Sequence, residues 1–410
     1  MKKGTKVVFW GWTVLLAIVF LCGTWGNAGA QGKKTIRIGH IVHVTGGMAA
    51  GQFGLMEGFE DGLQYCNENM DLKGVKLQAV QADGGSEVAK AMAVFKQMTE
   101  GDDAIAVMVG EHTGVGIALK NWNIKKKIAN IEGGSDDSFY ILPSWTFSSG
   151  CPYVNQVGAW IDYYMSEVWP KKGLKRAPRF AFFTWDIAAG RSIVTKNTIE
   201  YIKSKGIEYM GEEYVPMVPT DVSAQVMRLK QKEVDFTMGL MYHNALAVLL
   251  KEIDKQGLTD RIEVGMTYVN SAQGAVELAK ETARNTYQTA LFYETDDWMK
   301  MQPNVAAMWK KNKREKVRLY TYIMGFDRAA IAAEAVRMAI HRVGADKVDG
   351  QAVYESLTKM KKFSAGTGPA HSFSETKRYG QDSVLIMRYN NNKVNFLKEI
   401  PVPNLTPVKH

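Results

Sequence analysis

The sequence predicts an α/β fold built on parallel sheets. Three observations carry this. Short apolar runs end on Gly, Asp or other polar residues, as buried parallel strands do. Apolar stripes with a helical beat lie between them. From Thr35 onward the two kinds of segment alternate, which is the pattern of strand–helix–strand units.

In order, the predicted strands are 35–44, 75–83, 104–110 and 127–133, then 179–186, 234–242, 261–269 and 287–294. Between them, Val88, Met92, Phe95 and Met98 share one helical face. So do Val154, Val157, Ile161, Met165 and Val168. Val222, Val226 and Leu229 form another stripe, with Thr220 or Asp221 as its N-cap. A long helix over 327–343 places Ile331, Ala335, Met338 and Ala339 together. A closing strand pair over 383–400 turns on Asn390-Asn391-Asn392, and 401–410 reads as a surface tail.

Residues 1–30 precede this pattern. Lys2, Lys3 and Lys6 open a basic segment, an apolar run follows, and Ala28-Gly29-Ala30 supplies the small residues a signal peptidase needs. The segment reads as a secretory signal cut after Ala30, which places the mature chain in the periplasm. An uncleaved membrane anchor is the alternative. Residues 31–410 are enough for two domains, each with its own core. Three of the positive charges behind the formal net charge of +9 lie in the signal. The remaining excess is modest, and the basic run 310–316 has no interleaved aromatics, so no nucleic-acid partner is expected.

Cys66 and Cys151 remain after the signal. Export would allow them to pair, while the apolar helix face around Cys66 equally fits a buried thiol, and both readings stay open. His40 and His43 point to opposite faces of a strand, and no Cys/His spacing suits zinc. Neither a dinucleotide nor a P-loop motif is present. No metal and no cofactor is therefore expected.

The stretch GGMAAGQFGLMEGFEDG (46–62) holds six glycines. Gly46, Gly47 and Gly51 fit a turn facing a ligand. Gly54, Gly58 and Gly62 are four apart, a smooth helix face that would pack closely on a sheet. Together with the strand before it, Asn67, Lys73-Gly74 and the strand ending in Asp83, this stretch resembles the start of solute-binding proteins of the branched-chain amino acid (Leu/Ile/Val) type. The order of elements continues the resemblance through SEVAKAMAVFKQMTEGDDAIAVMVG, and more weakly to about residue 400.

The resemblance implies a type I periplasmic-binding-protein fold: two lobes, each a parallel-rich sheet flanked by helices, joined by three crossovers. The lobes would be 31–150 with 292–366, and 151–291 with 367–400. It implies a monomer that holds a small solute between the lobes and passes it to the membrane permease of an ABC importer. A sensory role for the same ligand-loaded subunit is the alternative.

Ligands of open α/β sheets sit outside the carboxyl ends of the strands. Here those ends offer Gly47, Glu111, His112, Thr113, Gly134, Ser135, Trp185, Asp186, Tyr242, His243, Thr267 and Tyr268 as candidate ligand-binding residues. The resemblance assigns carboxylate binding to Glu111-His112-Thr113 and Gly133-Gly134-Ser135, with Ser135 at a helix start. It also exposes a departure. Amino-acid binders place an acid after a second-lobe strand, but Gly265–Val269 holds none, and Ala188-Ala189 replace a Tyr. An ammonium left unpaired between lobes costs several kcal/mol. An ordinary amino acid then needs Asp186 or Glu111 as its partner. Trp122, Trp185, Tyr242 and Tyr268 point instead to a cavity for an aromatic or apolar carboxylate or amide. Ser135, His243 and Asp186 could converge as a hydrolase triad, but no nucleophile motif supports it, and no enzyme activity is expected.

Overall fold

Two sheets frame the computed structural model, which describes residues 34–100, 105–390 and 392–407. The signal segment, Asn391 and the last three residues fall outside the described residues. The first sheet comprises β1 (Thr35–Val42), β2 (Lys76–Asp83), β3 (Ile105–Gly110), β4 (Ala129–Glu132) and β5 (Thr146–Ser148). Their spatial order is β2-β1-β3-β4-β5, with every pairing parallel.

The second sheet holds β6 (Arg179–Trp185), β7 (Glu208–Val215), β8 (Phe236–Gly239), β9 (Glu263–Thr267), β10 (Thr286–Ala290), β11 (Ser383–Asn390) and β12 (Lys393–Pro401). The order is β12-β11-β10-β9-β8-β6-β7; only the pairings of β11 and β12 are antiparallel. All ten predicted strands are present, most of them trimmed at their ends. Two strands were not predicted. β5 is too short to show a pattern. β7, EYMGEEYV, is a sheet edge whose burial is partial, so it lacks the apolar run of its neighbours.

Helices follow the same logic. On one side of the first sheet lie α1 (Leu55–Asn69) and a long helix, Leu319–Val343. On the other lie α2 (Val88–Thr99) and α3 (Thr113–Lys126). The stripe predicted over 154–168 is α4 (Tyr153–Tyr163), which continues as a π-helical turn, Tyr164–Val168. The helix Ser223–Gln231 begins later than expected: its N-cap is Val222, not Thr220 or Asp221, and Asp221 Oδ1 accepts from the Ser223 N–H at 2.8 Å in the turn before it.

The long helix begins at Leu319, earlier than the predicted 327, because its first turns are buried all round and show no stripe. This helix, not a sheet, is what the glycine face of α1 meets. A Cβ on Gly58 would lie 2.0 Å from the Tyr322 carbonyl oxygen, and one on Gly62 2.7 Å from Ala329 Cβ. Gly325 answers from the other side: a Cβ on it would lie 2.3 Å from the Leu55 carbonyl oxygen. Backbone therefore packs on backbone. Asp61 on α1 locks the contact, accepting from Arg314, Asn312 and the Tyr322 hydroxyl.

The chain passes between the sheets three times, and the passages touch. A Cβ on Gly150 would lie 2.2 Å from Leu291 Cδ1 and 3.7 Å from Gln381 Oε1. The expectation that 367–380 joins the second half is not met. Phe373 lies in the first sheet's core, His371 Nε2 and Thr367 Oγ1 bond to Asp327 Oδ1, and Tyr379 bridges to Ser148 on β5. The third passage therefore sits near Gln381. Both described cysteines are free and buried, and burial pushes the Cys66 thiol up to about 12.

Because Gly58 has no room for a side chain, Gly58→Ala should cost about 1–3 kcal/mol of unfolding free energy. Chemical denaturation measures it; a loss below about 0.5 kcal/mol would contradict the backbone contact.

Candidate functional site

The carboxyl ends of β3 and β4 in one sheet and of β6, β8 and β9 in the other converge on one cavity. Its volume is about 50 Å³, several waters' worth. Of the expected residues, Glu111, His112, Thr113, Gly134, Trp185, Tyr242 and Tyr268 line it. Met48, Gly51, Gln52, Leu55, Tyr153, Ile187, Leu240 and Met324 complete much of the wall, with Ala188-Ala189 widening it. Most of these are apolar, as in small-molecule sites generally.

Five expected residues lie elsewhere. Gly47 is exposed, and a Cβ on it would meet Met217 Sδ at 2.8 Å; its turn serves to bind Asp83 through Thr45. Ser135 points away into a hydrogen bond with the Tyr140 hydroxyl at 2.6 Å. Nor does Ser135 start a helix: Asp136 caps a three-residue 3-10 turn. Asp186 is taken by Arg191 at the surface. His243 opens the helix His243–Lys255 against Gly274, where burial and Arg318 push it down to about 4. Thr267 is buried at the end of β9, with no partner for its hydroxyl. Ser135, Asp186 and His243 thus have separate surroundings and form no triad. Trp122 stands beside α2, under Lys96 and Lys125, and takes no part in the cavity.

The polar side of the cavity is built by α3. His112 is its N-cap: Nδ1 accepts from the N–H groups of Gly114 (3.0 Å) and Val115 (3.4 Å). The ring proton must then sit on Nε2, which makes His112 a hydrogen-bond donor. Burial pushes its pKa down, so the ring stays neutral. The positive end of the α3 dipole adds to the donor character, roughly 0.3–1 kcal/mol for an anion. Facing it, Trp185 stands edge-on to Tyr242, with centroids 4.7 Å apart.

Two residues outside the candidate set, Arg328 and the strand-end residue Glu132, lie behind this wall. Arg328, from the long helix, has no solvent exposure and holds the Glu111 carboxylate, with Nη1 2.7 Å from Oε1 and 2.6 Å from Oε2. Its Nε donates to Ser149 Oγ. Burial opposes the guanidinium charge, but Glu111, followed by Tyr268, Asp327 and Tyr320, together outweigh it and push its pKa above the usual value. Glu132 lies beneath His112, accepting from its backbone N–H (3.2 Å) and from Asn130 Nδ2 (3.1 Å). Burial, then the like charge of Glu111, push Glu132 up to about 8. The signal for Arg328 was present in the sequence. A charged Asp327-Arg328 pair inside an apolar helix must find buried partners.

The halves also touch across the cavity. The Tyr268 hydroxyl donates to the Gly133 carbonyl oxygen, and a Cβ on Gly51 would overlap the Tyr242 ring.

A family model described as periplasmic binding protein matches residues 35–393. A comparison with curated protein sequences gives no match. Among solved structures, the chain resembles a branched-chain amino acid ABC transporter protein from Thermus thermophilus with bound valine. The TM-score is 0.79 at 19% identity, covering 92% of this chain and 98% of that one. It also resembles a fatty acid ABC transporter substrate-binding protein from Thermomonospora curvata (TM-score 0.76, 16% identity, 91% and 94% covered). A leucine-binding protein from Thermotoga maritima gives 0.73 at 17% identity, with 89% and 99% covered. At these identities the likeness is one of fold.

Glu132 supplies a pH test. Its folded pKa lies above its unfolded value, so the folded chain keeps a proton that the unfolded chain releases. Stability from this group falls as pH rises from about 4 to about 8. Glu132→Gln cannot titrate, so its melting temperature should drop less between pH 5 and pH 8 than that of the wild type. Equal drops would contradict a neutral buried Glu132.

Proposed function

We propose that this chain, which belongs to the periplasmic binding protein family, captures a small solute between its two sheets and delivers it to the permease of an ABC importer. One observation carries the reading. A single apolar cavity is lined at once by strand ends of both sheets, and one side of it is the N-terminus of α3. Such a site exists only while the halves are together, so binding and closure are one event. The lobes of this reading are 34–150 with 292–381, and 151–291 with 382–401. The three adjoining passages at Gly150, Leu291 and Gln381 form the hinge.

The solute is amino acid-like, or an aromatic or apolar carboxylate or amide. Its polar group meets His112, Thr113 and Gly134, and its body lies among Trp185, Tyr242 and Tyr268. The proteins of like fold named for valine, leucine and a fatty acid support a mode, solute held for an ABC transporter, without naming this solute. We read the site as binding without turnover, since the candidate triad residues keep separate partners. Export through the signal at 1–30 and action as a monomer in the periplasm belong to the same reading.

Gly51 tests closure. It already abuts the Tyr242 ring, so Gly51→Val should hold the halves apart while each folds normally. Small-angle scattering with a stabilising solute should show a smaller radius of gyration for the wild type and none of that change for the variant. Solute binding should weaken by about tenfold or more in calorimetry. Equal closure by the variant would contradict the reading.

A further inference from the structure

We propose that the captured solute is a carboxylate without an amino group, and that Arg328 sets this preference by occupying the cavity's acid. The inference deepens the capture reading and rests on it.

Among the described residues that line the cavity, Glu111 is the one acid. Left free, it would pair an ammonium. Arg328 instead takes both of its oxygens through Nη1, from a side chain sealed off from solvent. His40 Nε2 stands 3.6 Å from the same carboxylate. The nearby carbonyls are engaged as well. The Glu111 carbonyl oxygen accepts from Gln52 Nε2 at 3.1 Å, and the Gly133 carbonyl oxygen accepts from the Tyr268 hydroxyl. An ammonium brought here would find its acceptors in use, and a charge buried without partners is expensive.

Donors, by contrast, are left over. His112 Nε2 carries its ring proton, as the bonds to Nδ1 require. Trp185 Nε1 is buried without a partner, and so is Arg328 Nη2. Gly133 lines the cavity, and a Cβ on it would lie 2.4 Å from that Nη2, so the guanidinium sits directly behind the wall. Two donors from the lining residues His112 and Trp185, a guanidinium behind the wall, a helix N-terminus and a neutralised acid select an acceptor-only head group. The apolar wall selects a hydrocarbon or aromatic body.

Matched pairs isolate the amino group: leucine against 4-methylpentanoate, and phenylalanine against 3-phenylpropanoate. The protein is first freed of bound solute by unfolding and refolding, then titrated by calorimetry. The carboxylate lacking the amino group should bind about tenfold or more tightly than its partner. Tighter binding of either amino acid overturns the inference and leaves capture intact. Binding of no member overturns it too; if a different solute then closes the cleft in scattering, capture still stands.

Arg328 is tested by the ratio within a pair, which a merely structural role would not move. Arg328→Met should shift that ratio toward the amino acid by about tenfold, and Arg328→Lys should restore the wild-type order. An unchanged ratio in Arg328→Met overturns the role of Arg328. Should that variant fail to fold, Glu111→Gln with Arg328→Met removes both charges and should still reject the amino acid. Acceptance of the amino acid by the double variant overturns the inference.

Discussion

The site depends on a guanidinium buried where no water reaches it. Burial works against its charge, and Glu111, within hydrogen-bond reach, is the largest of the groups that hold Arg328 charged, ahead of Tyr268, Asp327 and Tyr320. Glu111 in turn can face the cavity without demanding a cation from the ligand only because Arg328 is there. Removing either partner alone strands a charge, which is far more costly than removing both. The pair is possible because the long helix comes down close to α1. The glycines of α1 and Gly325 let the two backbones touch, and this brings Arg328 to the level of the β3 and β4 ends.

From that pair the chemistry of the cavity follows. Glu132, next to it, is pushed up by burial and by the charge of Glu111, and adds no negative charge at neutral pH. His112 spends one nitrogen on capping α3 and turns the other into a donor. The same helix start that needs a cap also brings its positive end to the cavity. On the far side, Trp185, Tyr242 and Tyr268 come from three strand ends of the second sheet. Residues of both halves thus contribute to the cavity wall.

Much of the fold was legible because parallel strands and amphipathic helices leave strong patterns. What failed to show were elements without a pattern: β5 with three residues, the edge strand β7, and the all-buried start of the long helix. The strand-end rule picked out residues of which seven line one cavity, since it depends on topology. It could not tell which side chain at a strand end turns inward. Asp186 follows Trp185 directly, yet one goes to Arg191 at the surface and the other into the cavity. Ser135 follows Gly134 and turns to Tyr140. Met324 reaches the cavity from a distant helix, and no local pattern announces it; the Asp327-Arg328 pair signalled buried partners but not where they lie. The glycine face of α1 was read correctly as a packing surface but assigned the wrong partner, because a smooth face fits a helix as well as a sheet.

The most direct test is the small molecule that leaves the protein when it is denatured after purification, identified by mass spectrometry. The account expects a carboxylate with an apolar or aromatic body and no amino group. Recovery of an α-amino acid would contradict it.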